Sequence, residues 1–222
     1  AMYFARIDPI VTSNSYGGPQ GGLPDQSTLH TGRAVFTEAY ALIPRGVMRD
    51  IVMSRLPGWQ ATRAFIIARP LSGFAETFSQ YIMEVSPGGG SQAPEPDSAA
   101  EGAIFVTEGV FDLTIEGTVH RMEPGGFAYV PPGTSWQVRN DGAEPAQFHW
   151  IRKRWQPAAG ISMPEPVVRH ERDLTPSATA NSDGRWAAMS FIDTNDMRHD
   201  MHINIVSFEP GAGIPFEETH VM

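Results

Sequence analysis

The sequence contains no cysteine, which excludes a disulfide framework, a thiol nucleophile and thiolate metal sites. Any metal would have to be held by histidine, carboxylate or amide oxygen. A basic stripe is also missing: 16 Lys and Arg stand against 25 Asp and Glu, for a formal net charge of -9. Without positive potential a phosphate backbone gives no electrostatic driving force, so nucleic acid is not an expected partner. The one concentrated cationic run, Arg152-Lys153-Arg154, reads as a solvated strand end rather than an anion site. No apolar run reaches membrane-spanning length, and Ala1-Met2-Tyr3-Phe4-Ala5-Arg6 carries no signal-peptide core. A cytoplasmic protein with no membrane partner is expected. Walker loops, dinucleotide fingerprints and Gly-x-Ser-x-Gly elbows do not occur. Helix signals are scarce: the longest window, Thr37 to Leu42, is short and is followed by Pro44.

Turn formers, by contrast, are plentiful. The chain has 22 Gly and 19 Pro in 222 residues, which suggests many short strands joined by tight connections. Residues 1 to 45 carry Gly17-Gly18 and Gly21-Gly22 without sustained periodicity, and read as an extended arm wrapping a neighbouring surface. Strand patterns begin near Asp50. They include Ala64 to Ala68, Phe74 to Val85, Ala103 to Thr107, Val110 to Glu116, Phe127 to Val130, Trp136 to Asn140 and Ala146 to Arg152. Pro87-Gly88-Gly89-Gly90 is expected to end the long strand, and Glu108-Gly109, Glu116-Gly117 and Asp141-Gly142 supply turns. So many antiparallel strands without helices point to an all-β barrel or jelly roll. A Pro- and Gly-rich linker from Gln156 to about Pro166 precedes two more strands, Trp186 to Asp193 and Met201 to Phe208. Glu209-Pro210-Gly211 echoes Ser86-Pro87-Gly88, which hints at an internal repeat.

The sharpest motif is Gly125, five residues, Pro131, one residue, Gly133, two residues, Trp136, three residues, Asn140. It resembles the second signature of the cupin family at every fixed position except the histidine, which here is Trp136. The first signature would place two histidines and a glutamate between Gly88 and Gly109, a stretch with no histidine, and Gly102 stands where the glutamate would fall. The first barrel is therefore expected to be structural, with Trp136 plugging the old site. Glu95, Asp97 and Glu101 are expected to face water.

Later in the chain, Glu218 and His220 stand at i and i+2, a spacing that on a strand places both on one face, where they can converge on one ion. One carboxylate and one imidazole suit Mn²⁺, Fe²⁺ or Zn²⁺ better than Ca²⁺. The segments Asp200 to Gly211 and Glu218-Thr219-His220-Val221, with Tyr81, the Gly125 to Asn140 motif and the Ile151 to Trp155 strand end, resemble the (S)-ureidoglycine aminohydrolase family. The resemblance implies a bicupin: an arm over 1–45, a cupin without a metal site over 46–160, and over 161–222 the start of a second, metal-binding cupin that is incomplete in this chain. It implies that Glu218 and His220 are the first two Mn²⁺ ligands of a Glu-Thr-His-x-x-x-His motif, whose second histidine falls four residues after His220. It further implies an enzyme that releases ammonia from (S)-ureidoglycine in allantoin and purine breakdown, and the 222-residue chain by itself is expected to be inactive. No residue stands out as the general acid or base. A small-molecule substrate and a homo-oligomer are expected. Another bicupin enzyme acting on a small carboxylate, or a non-enzymatic binding or scaffold cupin, remain as alternatives.

Among the other histidines, His199 and His202 point to opposite faces if the segment is a strand. Asp200 and His202 then share a face, expected to be solvated. His149 is expected to be half-buried and structural; His30, His120 and His170 fall in loops or strand ends.

Overall fold

The computed structural model describes residues 2–5, 34–37, 40–43, 53–70, 77–177 and 184–214. The strands in chain order are β1 (Met2–Ala5), β2 (Val35–Phe36), β3 (Ala41–Leu42), β4 (Met53–Ser54), β5 (Trp59–Ala68), β6 (Phe78–Ser91), β7 (Ala100–Glu108) and β8 (Phe111–Ile115). They continue with β9 (Thr118–Met122), β10 (Gly126–Val130), β11 (Trp136–Arg139), β12 (Ala146–Arg154), β13 (Val167–His170), β14 (Trp186–Ser190) and β15 (Ile203–Phe208). One 3₁₀ turn, Glu171–Asp173, follows β13. The all-β expectation holds.

A ten-stranded sheet runs in the order β13-β10-β7-β12-β6-β11-β8-β9, with β5 also on β6 and β4 on β5. It curls into a nearly closed barrel because β6 changes partners along its length. Phe78 to Val85 pair with β12, whereas Gly90 and Ser91 pair with Arg139 and Val138 of β11. The Pro87 to Gly90 run thus bends the strand instead of ending it, which corrects the expectation from sequence. Close backbone approach explains the glycine: a Cβ on Gly90 would lie 1.9 Å from the Val138 carbonyl oxygen. The β8–β9 hairpin has Glu116 at φ 48° and Gly117 at φ 79°, the two left-handed residues of a tight turn matched to strand twist.

Alternation on the strands creates two cores. Ile104, Val106, Ala128, Val130, Phe148 and Trp150 point into the barrel with Met83, Val85, Phe111, Leu113 and Trp136. Their neighbours Ala103, Phe105, Phe127, Tyr129 and Ile151 face outward, where Phe191, Ile192, Ile203 and Ile205 cover them. With both faces covered, β10 is buried at every position, so its Phe127-to-Val130 run reads as continuously apolar. Phe191 stacks on Phe127 at 4.5 Å between ring centroids, and each such ring, fully buried, stabilises the assembly by about 1.5–3 kcal/mol.

Beyond the Pro-rich stretch, β13 adds antiparallel to β10. Strands β14 and β15 pair antiparallel, and β1 joins β15 in parallel, so the N-terminal segment reaches across the chain. The Thr37 to Leu42 window, the best helix candidate from sequence, belongs instead to the β2–β3 hairpin. The Thr37 hydroxyl donates to the Tyr40 carbonyl oxygen and accepts from the Tyr40 N–H, both at 3.0 Å. A side chain that satisfies backbone groups locally favours a turn over a helix.

Candidate functional site

The barrel interior is set by the Gly125 to Asn140 motif. Gly125 (φ 88°) and Gly133 (φ 72°) take the left-handed turns that bring β10 and β11 to opposite walls. Asn140, fully buried, holds the far end. Its Nδ2 donates to the carbonyl oxygens of Val85 and Glu144, each at 2.9 Å, and its Oδ1 accepts from the Gly142 N–H. Trp136 enters the barrel at 6 % exposure and meets Trp150 edge-on at 5.7 Å. Trp150 in turn touches Trp59 at 5.7 Å and Tyr81 at 5.6 Å. The space over Gly102 is also taken, since a Cβ there would stand 3.1 Å from Trp150 Nε1. A glutamate at Gly102 would collide with that indole, and at the histidine position an indole offers no metal lone pair. The first-barrel residues therefore do not fit a metal. What remains is a cavity of about 150 Å³ bordered by Gly102, Trp136, Trp150, Glu95 and Asp97.

The loop carboxylates differ from expectation. Glu95 forms a forked ion pair with Arg152, and the side chains are 9% and 26% exposed. Asp97 pairs with Arg154 at 2.9 Å; the Ala99 N–H, then Arg154, hold its carboxyl below the usual range. Glu101 does not face water at all: it is 0 % exposed, on the outer side of β7. Tyr129 Oη donates to its Oε2 at 2.6 Å. Burial first, and the Asp200 carboxylate second, push the Glu101 carboxyl up to about 9.

The cationic run is not a free strand end either. Its middle member, Lys153, reaches the segment ahead of β15 and donates to Asp200 Oδ2 at 2.9 Å. That oxygen also accepts from the Gln156 N–H at 2.9 Å. His199 and Asp200 lie outside β15, so strand alternation does not govern them. His199 is 7 % exposed, edge-on to Tyr129 at 4.6 Å, and 3.6 Å from Asp196. Asp200 turns to Lys153 rather than sharing a solvated face with His202. The half-buried reading of His149 holds: burial brings the ring down to about 4, neutral at pH 7, and Gln80 Nε2 donates to its Nδ1 at 3.1 Å.

Glu218 and His220 fall outside the described residues, as does His30. Among the described residues no group of three or more His, Asp or Glu side chains stands close enough to hold a metal ion. The Glu101–Tyr129–Asp200–Lys153 cluster was missed from sequence because its members come from four separate segments. The available signal was Glu101 itself, a carboxylate directly ahead of the apolar run Ala103 to Val106.

The cupin-domain family profile matches residues 81–152, the stretch from mid-β6 to late β12. The protein is a cupin. Over 180 residues it is 28% identical to (S)-ureidoglycine aminohydrolase of Escherichia coli (strain K12), covering 81% of this chain and 66% of that relative. A structure from Pseudomonas aeruginosa, provisionally named a glyoxylate-induced protein, is 55% identical with a TM-score of 0.83, covering 95% of this chain and 76% of that one. The Escherichia coli protein Ylba superposes with a TM-score of 0.73 at 25% identity, covering 89% and 76% of the two chains. The chain belongs to the cupin family that includes (S)-ureidoglycine aminohydrolase, and spans 66% of that relative's length.

Proposed function

We propose that the whole protein is a Mn²⁺-dependent hydrolase that releases ammonia from (S)-ureidoglycine to give (S)-ureidoglycolate, in allantoin and purine breakdown. The observation that carries the reading is the likeness to (S)-ureidoglycine aminohydrolase across 81% of the chain, well beyond the cupin motif. The filled interior of the first barrel supports placing the chemistry elsewhere. Glu218 and His220 are the two donors this chain contributes, and a carboxylate with an imidazole suits a first-row divalent ion. Such an ion, when bound, polarises a substrate group and orients water or substrate. The first barrel is held together by Asn140 and the aromatic stack, and its outer face carries the β14–β15 sheet.

Several further expectations belong to the same proposal: a second barrel, a homo-oligomer and a cytoplasmic location. Among the described residues no helix is long and apolar enough to cross a membrane. The test of the metal assignment is Mn²⁺ content after loading and desalting the whole protein. About one Mn²⁺ per chain is expected, falling at least tenfold in Glu218→Gln and His220→Ala. Undiminished Mn²⁺ in both variants would assign the ion to other residues.

A further inference from the structure

We propose that Glu101 and Asp200 share one proton and act as a latch between the first barrel and the segment entering β15, closed while that proton is present. The geometry begins with burial. Glu101 is 0 % exposed, on a strand whose outer face is covered by Phe191, Ile203 and Ile205. Its Oε2 is taken by Tyr129. Its Oε1 is buried without a donor, and so is Oδ1 of Asp200. Two carboxyl oxygens without donors, on side chains that interact directly, cannot both be ionised lone pairs at low cost. A proton on Glu101 Oε1, donated to Asp200 Oδ1, satisfies both atoms with one bond.

Charge bookkeeping leads to the same assignment. Among the described residues, the groups facing the pair are Tyr129 from β10, Lys153 from β12, and His199 of the loop that carries Asp200. Burial keeps the His199 imidazole below its ordinary value, and Asp196 beside it is paired with Arg198 at 2.7 Å. Lys153 therefore balances one carboxylate, Asp200, whose own value is held low. Ionising Glu101 would add a buried negative charge with no second cation acting on it among the described residues. The carboxyl lies near 9 in the folded protein against 4.5 for an ordinary glutamate. Because the folded value is the higher one, this group's contribution to stability is complete below about 4.5. It is lost as the pH rises toward 9, by up to tenfold in the folding constant per pH unit.

The latch concerns the joint between two packed units, not the metal chemistry, so its failure would leave the proposed activity standing. Two measurements test it. In the wild-type protein, ¹³C NMR of the glutamate carboxyl carbons should show Glu101 still protonated at neutral pH and titrating on the alkaline side; an ionised Glu101 at pH 7 overturns the proposal. The second uses Glu101→Gln, whose amide reproduces the neutral acid, with oxygen toward Tyr129 and N–H toward Asp200. The ratio of wild-type to variant exchange rates at the β15 amides should rise by tenfold or more between about pH 6 and about pH 9.5. A rate ratio that does not change with pH overturns it. If the variant does not fold, the wild-type titration decides alone.

Discussion

Truncating Trp136 to alanine should destabilise the protein by about 3 kcal/mol. The side chain is 6 % exposed and packs edge-on against Trp150 at 5.7 Å. Removing a buried Trp or Phe side chain costs about 3–5 kcal/mol, of which an aromatic edge contact supplies roughly 0.5–1.5. Part of the indole borders the cavity of about 150 Å³, where it has no packing partner, and this places the expected loss at the lower end of that range. The consequence is a roughly 150-fold fall in the folding constant, read by urea denaturation as a midpoint lowered by about 1 M with an unchanged slope. Trp136→Phe should recover about half of the loss. A loss under about 1 kcal/mol would refute the view that this tryptophan fills the place of a metal ligand as part of the core.

Four further substitutions probe the elements that shape the barrel. Gly90→Ala drives a Cβ to 1.9 Å from the Val138 carbonyl oxygen, so soluble folded protein should be lost or the thermal midpoint should fall by more than about 10 °C. Gly117→Ala meets nothing within 4 Å and should cost only about 1 kcal/mol for its positive φ; a similar loss at both sites would contradict the close-approach argument. Asn140→Ala removes bonds to Val85, Glu144 and Gly142, leaving their backbone groups unmet. About 2–3 kcal/mol of stability should go, measured by denaturation, whereas Arg139→Ala on the exposed side should change it by less than about 1 kcal/mol.

Local pattern carried much of the fold. Strands β7, β8, β10, β11 and β12 were visible as apolar runs or alternation between glycine turns, and the Gly125 to Asn140 spacing pointed to the cupin motif. Two of the errors share one physical origin, contacts made across long sequence distances. The glycines after Pro87 looked like a stop, and only the pairing of Gly90 with Arg139 shows the strand crossing between the two halves of the barrel. Glu101 looked solvated because it sits beside polar loop residues, yet Tyr129 and Asp200 bury it from other segments. His199 and Asp200 were assigned faces on the assumption of a strand that begins only at Ile203. Trp136 was placed correctly because its motif neighbours fix where β11 points.

Adding (S)-ureidoglycine to the Mn²⁺-loaded whole protein and following ammonia and (S)-ureidoglycolate together decides whether the protein is the proposed hydrolase. Both products should form in equal amounts, at a rate lowered at least a hundredfold by His220→Ala and unchanged by Trp136→Phe at a temperature where that variant is folded. No ammonia from the loaded wild-type protein, or full activity in His220→Ala, would contradict the proposed function.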